Sequence, residues 1–335
     1  TLDAYVNKDK GLIMEWSRGC IGNCSFCAFK VISGKFRNKS VSSILGALSY
    51  YKEKYAVEHF SLVDSAINCD LKHIEDVCQA LISSGLDLKF SALAIPRKGM
   101  DAIIIEKMKR AGFQRLEYGI ESGSNKVLRL MNKIFTVEDA ETTIKLTHEA
   151  GITTVIYLII GFPGEGEEEF NQTLEFLKRN AQYIDLVKSV NPLYLIAGSS
   201  LHKNYREYGI SLPLENPDFK WHIDENNNYQ LRLKRVHKIR QVLRESGVKY
   251  FSEDDQFEKK IEIKEDLRPQ GEPLDILLVT FPPWGVENPP VGLGYLDSYM
   301  RSKGLKSAVY EFNLHFPNCV ADGYKMLWHL AKKTT

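Results

Sequence analysis

No window of this 335-residue sequence approaches the ~20 uninterrupted apolar residues of a membrane-spanning helix, and Thr1-Leu2-Asp3-Ala4 is not the charged-then-apolar opening of a signal peptide. An excess of charge of either sign is also missing. Against 44 Lys and Arg stand 43 Asp and Glu, a formal net charge of +1, so no global basic field draws the chain to nucleic acid or to an anionic membrane. Cysteine is scarce: six residues without regular spacing do not staple a secreted disulfide scaffold, and the chain is expected in a reducing compartment, the cytoplasm. Outside one short stretch there is no closely spaced Cys/Cys or His/His pair, which removes the second half of an ordinary four-ligand zinc site. The chain opens on Thr1 rather than Met, as a fragment or a processed chain would.

What is present is concentrated in Arg18-Gly19-Cys20-Ile21-Gly22-Asn23-Cys24-Ser25-Phe26-Cys27. Cys20, Cys24 and Cys27 follow one another at spacings of four and three, so one loop can wrap three sulfurs around a single inorganic centre. Soft thiolates are the ligands of iron–sulfur clusters, and three of them suit a 4Fe-4S cluster whose fourth iron stays open. A zinc loop and a set of packed thiols are the competing assignments. Cys69 and Cys78, before and within an apolar helical stretch, read as core; Cys319 stands alone.

Around this loop, short apolar runs alternate with segments of helical period. Strands are expected at Leu12–Trp16, His59–Val63, Lys89–Ala94, Arg115–Gly119, Thr153–Ile160 and Leu186–Pro192, each followed by a helix or loop. Thr153–Ile160 is apolar almost throughout, as a strand buried in a parallel sheet is. Six such units in succession give an α/β fold, a partial (β/α)6 TIM-like barrel with an open side, over residues 1–250. The weakly periodic stretch 193–228 is expected to be a lid or disordered, and Leu231–Ser246 a strongly basic helix. The charged run 251–273 marks a linker. Over 274–335, strand Asp275–Thr280, helix Leu293–Lys303 and strand Ser307–Phe312 read as an incomplete Rossmann-like β-α-β segment with an exposed sheet edge, cut from a longer tandem protein.

CxxxCxxC with an aromatic, Phe26, just before the last cysteine resembles the signature of the radical S-adenosylmethionine superfamily. Gly119-Ile120-Glu121-Ser122-Gly123-Ser124 and Gly161-Phe162-Pro163-Gly164-Glu165 are similar to later strand-end motifs of its cobalamin-linked subgroup. The resemblance runs from about residue 10 to 250. It implies a 4Fe-4S cluster on Cys20, Cys24 and Cys27 and reductive cleavage of S-adenosylmethionine to a 5'-deoxyadenosyl radical, which abstracts hydrogen from a small-molecule or peptide substrate for methylation or rearrangement. It also implies a one-electron reductant such as flavodoxin or ferredoxin. By position, Asp64 would meet the methionine amino group, Glu121 or Ser122 would help bind S-adenosylmethionine, and Gly161 with Phe162 would face adenine. The segment after Pro273 is similar to the start of a cobalamin-binding domain but lacks its Asp-x-His-x-x-Gly motif, so cobalamin is expected only in a longer protein and not on this chain. A zinc-binding module on an α/β scaffold and a catalytically silent barrel are the alternatives.

Overall fold

The computed structural model describes residues 11–251, 276–280, 300–305 and 307–311. The chain divides into two compact units, Thr1–Asp255 and Gln256–Thr335. In the first, β1 (Leu12–Met14) leads into a two-residue ribbon, β2 (Ser17–Arg18) with β3 (Arg37–Asn38), that brackets the short helix α1 (Phe29–Ser33). There follow α2 (Val41–Tyr55), β4 (His59–Leu62), α3 (Leu71–Ser84), β5 (Lys89–Ala94), α4 (Ala102–Arg110), β6 (Phe113–Glu121), α5 (Asn125–Leu130), α6 (Val137–Glu149), β7 (Thr153–Ile160), α7 (Glu167–Asn180) and β8 (Leu186–Pro192). Two single-turn helices, α8 (Ser200–Lys203) and α9 (Pro217–Lys220), precede α10 (Tyr229–Glu245) and β9 (Lys249–Tyr250).

The main sheet runs β1-β4-β5-β6-β7-β8-β9 with every pairing parallel, the order expected of consecutive right-handed strand–helix units. Six strands are those the sequence indicates; β9 adds a short seventh. Helix starts are fixed by local chemistry. Ser40, Asp70, Asp101 and Thr136 each accept backbone N–H bonds at the first turn of α2, α3, α4 and α6, and Thr136 with Asp139 closes a reciprocal capping box. Such caps contribute about 1 kcal/mol each.

Alternation along the strands divides the sheet into two chemically different faces. Phe60, Leu62, Phe90, Ala92, Leu116, Tyr118, Ile156 and Leu158 are buried in the main hydrophobic core with the apolar sides of the helices. Trp16 joins that core edge-on to Phe90, with ring centroids 5.1 Å apart. The intervening residues, among them Ser61, Ser91, Arg115, Gly119, Tyr157 and Lys188, remain partly exposed. Where a closed barrel fills its interior with branched apolar side chains, this open one presents a polar inner wall.

The stretch 193–228 differs from the expected lid. It is packed against a second core in which Trp221, Leu195, Leu201 and Phe162 are completely or nearly completely buried, and the Trp221 indole N–H donates to Leu193 O at 3.0 Å. A single tryptophan with several well-separated leucines has no period to read, so only the tertiary fold reveals this core. In the second unit β10 (Ile276–Thr280) pairs in parallel with β11 (Ser307–Glu311). Apart from residues 251 and 300–303, the linker and helix expected there lie outside the described residues.

Candidate cofactor site

The cysteine loop sits beyond the C-terminal end of β1, and its shape is set by its neighbours rather than by its own short sequence. Ser25 N–H donates to Met131 O at 2.9 Å, Ser25 O accepts from Leu201 N–H at 2.7 Å, and Asn132 Nδ2 donates to Asn23 O at 2.8 Å. The turn after α5, with Asn132 in the left-handed region (φ +59°), therefore holds one side of the loop and α8 the other. Asp64 anchors its entry. That carboxylate is almost completely buried, accepts the Trp16 N–H at 3.1 Å, and also binds the backbone N–H and hydroxyl of Ser17. Burial pushes its pKa up, while those three donors pull it back down. Asp64 thus anchors the segment leading into the cysteines.

Gly22 lies between two of the sulfurs: a Cβ there would come 3.5 Å from Cys20 Sγ and 3.7 Å from Cys24 Sγ, both ordinary contact distances. Cys20 Sγ accepts the Gly22 N–H at 3.3 Å and Cys27 Sγ the Phe29 N–H at 3.4 Å. The Cys20 thiol is lowered to about 6, first by the Cys69 S–H donating to it and then by Gly22, Ser65 and Lys30, against the opposing effect of burial. Cys69 is correspondingly held in its protonated form. Cys24 is raised by burial and drawn back by Lys133. Cys78 is fully buried in α3, as expected, whereas Cys69 belongs to the cysteine site and not only to the core. The donor set, three thiols on one short loop, fits a cluster held by Cys20, Cys24 and Cys27. Among the described residues, no three His, Cys, Asp or Glu side chains converge as a single-ion site.

Lys133 connects this loop to the sheet, and nothing in the sequence singled it out. Its Nζ lies 5.3 Å from the centre of the Phe26 ring, donates to Gly119 O at 2.9 Å and pairs with Glu121 at 3.1 Å. Both side chains of the ion pair are about nine-tenths buried. Glu121 takes a left-handed φ of +67°, costly for a non-glycine residue and placed where β6 bulges against β7. The structure thus brings Glu121 and Phe26 together with the cysteines. Removing the cation alone strands a buried carboxylate, so Lys133→Met is expected to cost about 3–5 kcal/mol, and Lys133→Met with Glu121→Gln to recover most of that loss. Urea unfolding of the cluster-free chain measures both.

The other two motif positions do different work. Ser122 is buried, its hydroxyl 3.2 Å from Thr173 Oγ1 and accepting the Ser124 N–H at 3.1 Å, so it closes the turn into α5. Gly161 (φ +86°) lies against Arg232: a Cβ there would stand 2.2 Å from Arg232 Cδ. The missing side chain makes room for this buried arginine, and Phe162 is buried in the second core. Arg232 stacks on Trp221 at 3.6 Å and donates to Asn227, Phe219 O and Trp221 O. Glu165 accepts the Gly161 N–H and pairs with Arg235 at 3.1 Å. The Gly161-to-Glu165 turn is therefore the dock for α10, whose basic residues Arg232 and Arg235 point inward.

Residues 14–177 match the model of the Radical SAM superfamily. An uncharacterised methyltransferase of Pyrococcus horikoshii is 29% identical over 170 residues, half of this chain and 37% of that protein. The cytidylyl-2-hydroxyethylphosphonate methyltransferase of Streptomyces wedmorensis is 28% identical over 169 residues, 48% of this chain and 31% of its own. The chain thus spans about a third of the length of these relatives. In fold it is similar to the radical S-adenosylmethionine methyltransferase TsrM of Kitasatospora setae, solved with cobalamin and a [4Fe-4S] cluster, with a TM-score of 0.56 at 15% identity over 65% of this chain and 45% of that one.

Proposed function

Because the chain belongs to the radical S-adenosylmethionine superfamily, we propose that Cys20, Cys24 and Cys27 hold a 4Fe-4S cluster and that the chain is the radical-generating part of an enzyme. When bound, the cluster supplies the electron that cleaves S-adenosylmethionine reductively to methionine and a 5'-deoxyadenosyl radical, which takes hydrogen from the substrate. The observation that carries the reading is the loop itself: three thiols on one short segment, two of them accepting backbone N–H bonds, clamped from both sides.

The chain's own residues hold and orient. Phe26 and Lys133 form a wall beside Cys24, and Lys133 keeps a positive charge near thiolates that would otherwise repel one another. Glu121, strained and next to Lys133, is the carboxylate positioned to receive a cationic group of S-adenosylmethionine. Exposed Cys27 lies on the side from which a one-electron carrier such as flavodoxin or ferredoxin would reach the cluster, in the reducing cytoplasm. The substrate is a small molecule or peptide, and methyl transfer is the reaction that the names of the relatives favour over rearrangement.

Electron paramagnetic resonance of the reduced, cluster-loaded chain tests cofactor binding. S-adenosylmethionine is expected to shift the signal. Glu121→Gln should weaken that response at least about tenfold with iron content unchanged, as expected for loss of a charge-assisted hydrogen bond. Equal affinity in the variant would leave Glu121 only its structural partnership with Lys133.

A further inference from the structure

Below the Glu121–Lys133 pair, the inner wall of the sheet carries a second cluster of charged groups, apart from the residues assigned above to the cofactor. Glu117 on β6 lies at its centre, with only about a tenth of its side chain exposed. Arg115 Nη2 pairs with it at 2.6 Å from one side, Lys188 Nζ at 3.0 Å from β8, and the Tyr157 hydroxyl donates to it from β7. Lys188 also stands 5.6 Å from the centre of the Tyr157 ring. Two cations share one carboxylate, leaving one uncompensated positive charge. Arg115 Nε is buried without a hydrogen-bond partner among the described residues.

A network serving only stability would have little reason to face this way. The helix-covered side of β6 and β7 is buried and apolar, while Arg115, Tyr157 and Lys188 keep access to solvent on the inner face. The cluster also shares that face with the cofactor site. A Cβ on Gly119 would meet Glu121 Oε1, and Gly119 follows Glu117 by two residues on the same side of the strand. At a strand rise of roughly 3.3 Å per residue, the charged cluster lies about 7 Å further down the wall.

We propose that Arg115 and Lys188 bind an anionic oxygen group, a carboxylate or phosphate, of the substrate, with Glu117 and Tyr157 holding the two cations in place between turnovers. The inference deepens the function proposed above by naming a property of its substrate: an anionic group displaced from the reacting carbon by about the distance between the two levels of the wall. Arg115 supplies directional N–H donors and Lys188 a mobile charge. Because Glu117 competes with the ligand for both, its removal strengthens binding whereas removal of Lys188 weakens it.

The test is thermal unfolding of the full chain, with and without its cluster, in increasing inorganic phosphate or acetate at constant ionic strength, since an anion that binds the folded state raises the midpoint by mass action. Saturable stabilisation by either anion is expected, and the stronger response identifies which oxygen group the site prefers. Glu117→Gln should tighten that anion by about threefold or more and Lys188→Met weaken it by about fivefold or more, changes of the size a single charge makes at a half-buried site. Lys188→Arg should restore it, which separates loss of charge from loss of fold. Absence of saturable stabilisation, or unchanged binding in Glu117→Gln and Lys188→Met, overturns the assignment. The cluster-free arm answers this independently of whether S-adenosylmethionine is cleaved.

Discussion

Replacing any one of Cys20, Cys24 and Cys27 with Ala is expected to abolish the iron–sulfur cluster, with iron and acid-labile sulfide falling to background after anaerobic reconstitution. A site of three thiolates reduced to two loses a covalent ligand; Ser25 is bonded through its backbone to Met131 and Leu201, and Cys20→Ala is made together with Cys69→Ala so that the adjacent thiol does not take the vacated place. Cys78→Ala, buried in α3, should leave the cluster at full occupancy. Cys69→Ala should also retain its iron: the residue acts on Cys20 through a hydrogen bond, and its loss alters the sulfur's environment without removing a ligand. A full cluster spectrum in Cys24→Ala would refute the ligand assignment.

Gly161→Val is expected to fail at the level of folding, before cofactor binding comes into question. The position has φ +86°, and a branched side chain held there costs about 1–3 kcal/mol. The new Cβ would also fall within 2.2 Å of Arg232 Cδ, forcing a fully buried arginine off Trp221 and away from its acceptors on Asn227, Phe219 and Trp221. Unpairing a buried charge costs on the order of 3–5 kcal/mol, and together these losses approach the roughly 5–15 kcal/mol that holds a domain folded. Urea unfolding measures the effect. Because the two side chains collide, Gly161→Val combined with Arg232→Ala should be less destabilised than the sum of the single changes. A Gly161→Val chain with wild-type stability would contradict the packing described for α10.

The strands were legible as short apolar or alternating runs between helical segments, and Thr153–Ile160, apolar almost throughout, is the plainest of them. The helix starts were legible because Thr136 and Asp139 do their capping within one turn of sequence. The cysteines were legible for the same reason: their ligand set is local. What the sequence hid depends on distance along the chain. Lys133 reaches Phe26 and Glu121 only because the turn after α5 folds over the loop, and a lone lysine among 44 basic residues carries no local mark. The protein contacts of Asp64 with Trp16 and Ser17, and of Gly161 with Arg232, are equally hidden. A glycine in a strand-end turn shows that something comes close, not what it is. The short helices α1 and α5 were missed because one or two turns offer too few residues for a period.

The most direct test of the central claim is a single-turnover assay on the anaerobically reconstituted chain, supplied with S-adenosylmethionine and dithionite and analysed for 5'-deoxyadenosine. A 4Fe-4S cluster on Cys20, Cys24 and Cys27 predicts 5'-deoxyadenosine with methionine in equal amount, absent from the Cys24→Ala chain. One equivalent of zinc with no labile sulfide and no 5'-deoxyadenosine would contradict it and make the loop a metal-binding element on a silent barrel.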